Sequence, residues 1–296
     1  MKRTLRAIAA LCLATAGVVA ASPAAWADTA PPTKVHGDHT GDYRADILAT
    51  STDGKLMMFQ SNNTGRLTET GPYDDSENWS DVTAIAQYDV NFLGYTDVLV
   101  RRSNGGLYDF FGTGTYVDGT YKSVLGTYGS PVGRNWNAID SIIPITHNDG
   151  ASQLIARNRL DMKLYLYDWV FDADYNLVLQ GRGVIGTGWG GMRQLFSLGN
   201  FCGDANPDLI GVHKTGLLYC YALDARGRTA EGVRIGHGWN NFQTAFSPGD
   251  LNGDGLRDLV GIRSDGATFG YPNLGGKWGE TYWLASINLS SYTAIG

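Results

Sequence analysis

Positive charge is scarce in this chain. Its 296 residues carry 23 Lys and Arg against 29 Asp and Glu, a formal net charge of −6, and charged residues make up only 18%. A nucleic-acid partner calls for a basic stripe, so this balance argues against one. Long apolar runs are equally few: beyond Ala20 none approaches the roughly 20 residues that a transmembrane helix needs. The five histidines, His36, His39, His147, His213 and His237, form no pair at zinc spacing. No G-x-S-x-G nucleophile elbow occurs, and no phosphate-cradling glycine motif. Ten-residue amphipathic runs of helical period are also missing, which disfavours bundles and helical solenoids.

Glycine and aromatics are what is abundant: 40 Gly, 16 Tyr, 10 Phe and 8 Trp. Each glycine inside a helix costs about 1 kcal/mol relative to alanine, so this composition favours strands and tight turns. Collagen is excluded because glycine has no three-residue period. Disorder is excluded by 43% hydrophobic residues.

The first residues read as an export signal. Lys2, Arg3 and Arg6 precede a largely apolar run from Ala7 to Ala20, and Ala25-Trp26-Ala27 supplies small residues for cleavage after Ala27. Residues 1–27 are the expected signal peptide, and 28–36 a polar, proline-bearing lead-in. Removing three bases and no acid takes the net charge from −6 to −9. That charge suits calcium, a neutral polymer or a basic protein. The expected location is secreted and extracellular. Cys12 leaves with the signal, and Cys202 and Cys220 are expected to pair, because an oxidising compartment favours a disulfide over two thiols.

One unit recurs along the remainder. Its clearest copy is GDLNGDGLRDLVGIRSDGATFGYPN at 249–273, with others at 37–60, 88–110, 199–221 and, much worn, 146–168. Each holds a polar loop, a strand opening Asp-hydrophobic-hydrophobic in four copies, a turn and an often aromatic second strand. Between copies stand Trp79, Trp136, Trp189 and Trp239, at spacings of 57, 53 and 50. A short apolar strand follows each tryptophan. Units of this length rich in short strands predict a radial β array. The last residues, Ser290–Gly296, match the strand that precedes the loop elsewhere and that the first unit lacks. The expected fold is therefore all-β: a single five-bladed β-propeller over 37–296, closed by its C-terminal strand completing the first blade.

The loop at 250–258 carries the chemistry. Asp250, Asn252, Asp254 and Asp258 place oxygens at relative positions 1, 3, 5 and 9, with Gly255 at 6. A hard cation needs six to eight close oxygens and a sharply turning backbone, so this is a calcium-like loop in a β setting. The alternative is a hydrogen-bonded turn in which the carboxylates cap amides without metal. The first loop keeps Asp38, Thr40, Asp42 and Asp46, with Tyr43 in place of the glycine. The second keeps Asp89, Asn91 and Asp97 but has Leu93 centrally. The fourth has Asn200, Asp204 and Asp208 with Cys202 at position 3, and the third retains only Asp149-Gly150 between Ile145 and Gln153. Calcium is expected at one or two sites, as a structural staple. No nucleophile or base stands at matching spacing, so no catalytic residue is assigned.

These loops make the chain resemble the FG-GAP/VCBS-type repeat propellers of secreted and cell-surface proteins. The resemblance spans 37–296 and is most specific at Asp250–Asp258 followed by Leu259. It implies calcium held by Asp250, Asn252, Asp254 and Asp258, and by Asp38, Asp42 and Asp46, and adhesion or ligand binding more than catalysis. The five tryptophan-marked units are also similar to five-bladed propeller lectins and to lectin subunits of actinobacterial polymorphic toxin particles. That implies a glycan or cell-surface polymer as partner, and other subunits of a secreted complex. Trp79, Trp136, Trp189 and Trp239 are ligand-contact candidates, as are Phe59, Phe110, Tyr167, Tyr221 and Tyr271; packing between sheets is the stronger reading for both sets. A secreted propeller enzyme acting on polysaccharide is the alternative, and a central cleft with convergent acids or histidines would mark it.

Overall fold

The computed structural model describes residues 35–296 apart from 63, 65, 75–76, 91–93, 118–119, 127, 148–151, 205 and 286–287. The signal segment 1–27, Cys12 and most of the lead-in lie outside the described residues, as do Asn91, Leu93 and Asp149-Gly150.

Strands follow the expected unit. The stretches that open with aspartate and two apolar residues are buried on both faces, which selects β-branched and leucine side chains in a continuous run. Each becomes the second strand of a four-stranded antiparallel sheet. The first sheet holds β1 (Ile47–Thr50), β2 (Leu56–Ser61) and β3 (Leu67–Asp74). The second runs β4 (Val82–Tyr88), β5 (Asp97–Arg102), β6 (Leu107–Phe110) and β9 (Ser130–Gly133). Between its last two strands it carries an additional hairpin, β7 (Gly112–Val117) with β8 (Thr120–Leu125), which the repeat pattern did not announce. The third runs β10 (Ile139–Thr146), β11 (Ser152–Asn158), β12 (Lys163–Phe171) and β13 (Leu177–Gly186). Next come β14 (Met192–Phe196), β15 (Asp208–His213), β16 (Leu218–Ala222) and β17 (Val233–Gly236). The fifth sheet is β18 (Phe242–Gly249), β19 (Asp258–Arg263), β20 (Thr268–Tyr271) and β21 (Tyr282–Ala285). The final strand, β22 (Ala294–Ile295), adds to the first sheet by pairing Ala49 with Ile295 and Thr50 with Ala294.

Burial closes the ring. Five clusters of buried apolar side chains are found among the described residues, each joining two successive sheets. One of them joins the last to the first, with Ile47, Ala49 and Phe59 against Phe246, Val260 and Ile262. The protein is a five-bladed β-propeller closed by its C-terminal strand. Backbones also meet at this seam. Gly37 and Gly249 have φ of 83° and 130°, and a Cβ on either would lie 2.1 Å from a carbonyl oxygen of the other segment. Only glycine fits such an approach.

The tryptophans organise the other seams. The main-chain N–H of Trp79, Trp136, Trp189 and Trp239 donates to the hairpin-turn carbonyl of Gly54, Gly105, Met162 and Gly216 in the preceding blade, at 2.9–3.0 Å. Each ring is at most 6% exposed and packs on the recurrent aromatic of its own blade. The pairs are Trp79–Phe110, Trp136–Tyr167, Trp189–Tyr221 and Trp239–Tyr271, with centroids 4.7–5.1 Å apart. In the first blade Leu289 takes the tryptophan place, and Phe59 packs on Tyr292 instead. The two sets of aromatics named from sequence are thus largely one packing device.

Candidate functional site

Position 9 of the acidic loop is the most regular element. Asp46, Asp97, Asp208 and Asp258 are all 0% exposed. Each turns a carboxylate oxygen back to the loop's second residue, accepting from the N–H of His39, Val90, Phe201 or Leu251 at 2.6–3.1 Å. In two blades the other oxygen reaches the end of the third strand, accepting from Gly112 N–H at 2.7 Å and Asn273 N–H at 3.0 Å. Buried amides must be paired, and one carboxylate here pairs two that no strand ladder reaches. Burial pushes Asp258 up to about 7 and Asp46 well above the usual carboxyl range. The worn third unit substitutes Gln153, whose amide donates to Asp168 at 2.7 Å and whose oxygen meets His147 at 2.8 Å.

Position 1 folds the loop around itself. Asp250 Oδ1 accepts from Gly253 N–H at 2.7 Å and from Asn252 and Asp254 at 3.2 Å, while Oδ2 accepts from Gly255 at 2.6 Å. Asn252 and Asp254 meet at the rim, the Asn252 amide donating to Asp254 Oδ2 at 3.1 Å. Asp38 is held alike, accepting from Gly41 N–H at 2.6 Å and Tyr43 N–H at 2.9 Å, and its pKa rises to about 6, mainly through burial. Asp42 accepts from Arg44 N–H at 3.1 Å. Tyr43 takes the left-handed φ of 65° that glycine was expected to provide. The donors at 250–258 are all hard oxygens, the set a calcium ion takes, but Asp258 faces the blade interior. Asp250, Asn252 and Asp254 are the side chains left on the loop itself.

Cys202 and Cys220 form the expected disulfide, tying the fourth loop to β16 with Cα atoms 6.2 Å apart. Asp208 lies beside it; these three are the one group of His, Cys, Asp or Glu donors among the described residues lying within 4.8 Å of one another. Paired sulfurs are not thiolate ligands. The cystine closes the position-3 point, where the first and fifth blades carry Thr40 and Asn252.

Two grooves open between aromatic side chains. The larger, about 690 Å³, lies between the second and third blades, against Pro131–Arg134 and the tip of the β12–β13 hairpin. Phe171 and Tyr175 stand on that tip, 71% and 86% exposed. Asp172 holds the turn, its Oδ1 accepting from Asp174 and Asn176 N–H at 2.9 Å. This places Tyr175 at a left-handed φ of 63°, uncommon for a bulky residue. A second groove of about 330 Å³ is lined by Phe242, Phe269, Tyr271, Arg263 and Asn241. Both combine aromatic faces with one arginine and one asparagine. Of the sequence candidates, Tyr271 lines one of these two grooves; Phe171, Tyr175 and Arg134 carried no repeat signature.

The innermost strands of all five blades surround a central channel of about 320 Å³. Its acidic side chain is Asp140, and Arg157 Nε pairs with it at 2.7 Å. His36 also lines the channel, but beside Gly249 at the far end of the innermost strands, whereas Asp140 stands at the start of β10. The convergent acids that the enzyme alternative needs are not brought together here.

A five-bladed propeller is the class that fold and surface define. No protein-family model matches the chain, and no curated protein does. Among solved structures, the chain is similar to the BP39L lectin of Burkholderia pseudomallei, with 16% identity and a TM-score of 0.46 over 81% of this chain. The match spans 66% of that lectin's length. It is also similar to AofleA of Arthrobotrys oligospora, with 11% identity and a TM-score of 0.46 over 81% of this chain and 69% of that one. Among the described residues no helix is long and apolar enough to cross a membrane.

Proposed function

We propose that this is a secreted, carbohydrate-binding propeller that targets or adheres to a glycan or cell-surface polymer. The observation that carries the reading is the groove beneath Phe171 and Tyr175. Two large aromatics stay exposed on a turn whose backbone is held in an unfavourable conformation, beside Arg134 and Asn176. Aromatic faces cover the apolar face of a sugar ring, and arginine and amide groups bond its hydroxyls. The groove by Phe242 and Tyr271 offers the same chemistry again, and two weak sites on one rigid body gain avidity on a polymer. Presentation of such a module within a larger secreted assembly is compatible with this surface.

Calcium belongs to the same proposal as a structural ion. Asp250, Asn252 and Asp254 would hold it with hard oxygens, Asp258 fixing the loop from below; Asp38 and Asp42 would form the lesser site above Asp46. Export through the 1–27 signal fits the disulfide.

A glycan array on residues 28–296 in calcium buffer tests the binding. Binding to at least one glycan class is expected, lost in Phe171→Ala and Tyr175→Ala together. Silence across the array, or binding untouched by the double substitution and by Tyr271→Ala, would sink the reading.

A further inference from the structure

Arg257 departs from the rest of the repeat. It occupies position 8 of its loop, where the other units carry Ala45, Thr96, Ser152 and Pro207. Thr96 and Ser152 use their hydroxyls across the seam, donating to the preceding loop's carbonyls at Asp38 (3.4 Å) and Asp89 (2.9 Å). Arg257 instead extends past Gly199, whose Cβ would lie 3.8 Å from its Cδ, and lines the central channel. No hydrogen bond or ion pair holds its guanidinium among the described residues. The half-buried guanidinium thus faces the channel with a charge and donors that a bound anion can take up.

Ser247 and His36 share the cavity with it. Ser247 lines the same cavity, and its hydroxyl is buried with no partner. His36 lies against the same backbone, since Gly37 abuts Pro248 and Gly249 abuts His36. Its ring lines the same cavity. Along the wall Arg193 donates through Nη2 to the Trp239 carbonyl at 2.6 Å and leaves Nε buried and unpaired. With Asp140 paired to Arg157, the side chains lining the channel are net positive through Arg193 and Arg257, and the main chain of Gly296 lines the same cavity.

We propose that the Arg257 end of the central channel is a binding site for a small oxyanion, of carboxylate or phosphate chemistry, held by the Arg257 guanidinium with the Ser247 hydroxyl and the His36 ring. A guanidinium offers parallel donors to two oxygens of such a group, and the hydroxyl and imidazole complete its remaining lone pairs. The cavity volume of about 320 Å³ admits a phosphate or a single sugar acid and excludes an oligosaccharide. The ring places this site on the central axis, apart from the interblade grooves, so it stands whether or not those bind glycan.

Calorimetric titration of the mature protein in HEPES with chloride at matched ionic strength tests it, with inorganic phosphate and glucuronate as separate probes. One or both bind with a stoichiometry of one and raise the melting temperature; glucuronate alone identifies a sugar or other organic acid, and phosphate alone a phosphorylated ligand. Arg257→Gln weakens binding by at least about tenfold, the loss of charged hydrogen bonds. The same substitution raises the melting temperature in anion-free buffer, because a half-buried cation with no ion pair is removed. Should Arg257→Gln misfold, Ser247→Ala and Arg257→Lys, which keeps the charge without the fork, give the weakened binding instead. No response to either anion beyond chloride, or unchanged affinity in the folded variants, overturns the proposal.

Discussion

Asp109 allows the electrostatics of the fold to be tested away from any loop. It lies on β6, 0% exposed, with Tyr88 donating its hydroxyl to Oδ1 at 2.6 Å and Oδ2 buried without a partner. Burial, reinforced by the charge of Asp97 and opposed by the Tyr88 bond, pushes its pKa up to about 8. In the unfolded chain an aspartate titrates near 3.9, at about that value for model peptides. Between those values the native state holds a proton that the unfolded state has released, so unfolding free energy falls as pH rises from about 4 to about 8, and levels off above. The full gap corresponds to on the order of 5 kcal/mol, an upper bound because water penetration and relaxation soften buried desolvation. Asp109→Asn keeps an oxygen for the Tyr88 hydroxyl and never ionises. Urea denaturation at pH 5, 7 and 9, with the disulfide intact, should show the variant close to wild type at pH 5. At pH 9 it should be more stable by roughly 2 to 5 kcal/mol, that bound and about half of it. Parallel curves for the two proteins across this range would refute the claim that a protonated carboxyl sits in the second blade.

Chelation with EDTA should lower the melting temperature while leaving the disulfide intact, by the equivalent of about 2.7 kcal/mol if free calcium had stood a hundredfold above its dissociation constant. Asp254→Ala should remove most of that sensitivity; identical scans with and without chelator in both proteins would mean that the loop is a hydrogen-bonded turn only. Removal of residues 290–296 should abolish cooperative unfolding, since it strips β22 from Ala49 and Thr50 and the Gly296 carbonyl from the Gln87 amide at 2.9 Å. Near-UV circular dichroism and gel filtration read this, and a monomer with the parent's melting temperature would contradict ring closure by that strand.

The repeat made much of the fold legible. Asp-Leu-Val at 258–260 and its equivalents announce doubly buried strands, and Ser290–Gly296 could be matched to the strand before each loop. The partnership of Cys202 and Cys220 followed from their being the two cysteines left once the expected signal segment is set aside. Less was legible in the acidic loops. An aspartate at position 9 reads alike whether it ligates a cation or pairs buried amides, and the difference lies in Gly112 and Asn273, fifteen residues downstream and just past the paired strand, β6 or β20. His39, too isolated in sequence to suggest a site, is buried between the Tyr73 hydroxyl at 2.9 Å and the Gln87 oxygen at 2.8 Å, and burial takes it down to about 4.

The sequence by itself determined the unit, its number and how the chain ends meet, because strand period, turn glycines and loop carboxylates are local properties repeated five times. Only the tertiary structure decided which aromatics are covered. Trp79 and Trp239 disappear under neighbouring blades, while Phe171 and Tyr175, on a hairpin of ordinary composition, project beyond theirs. It also decided where polar groups collect. Arg257, Ser247 and His36 come from opposite ends of the chain, and only closure of the ring sets them around one cavity, where an arginine with no ion pair among the described residues becomes a property of the site.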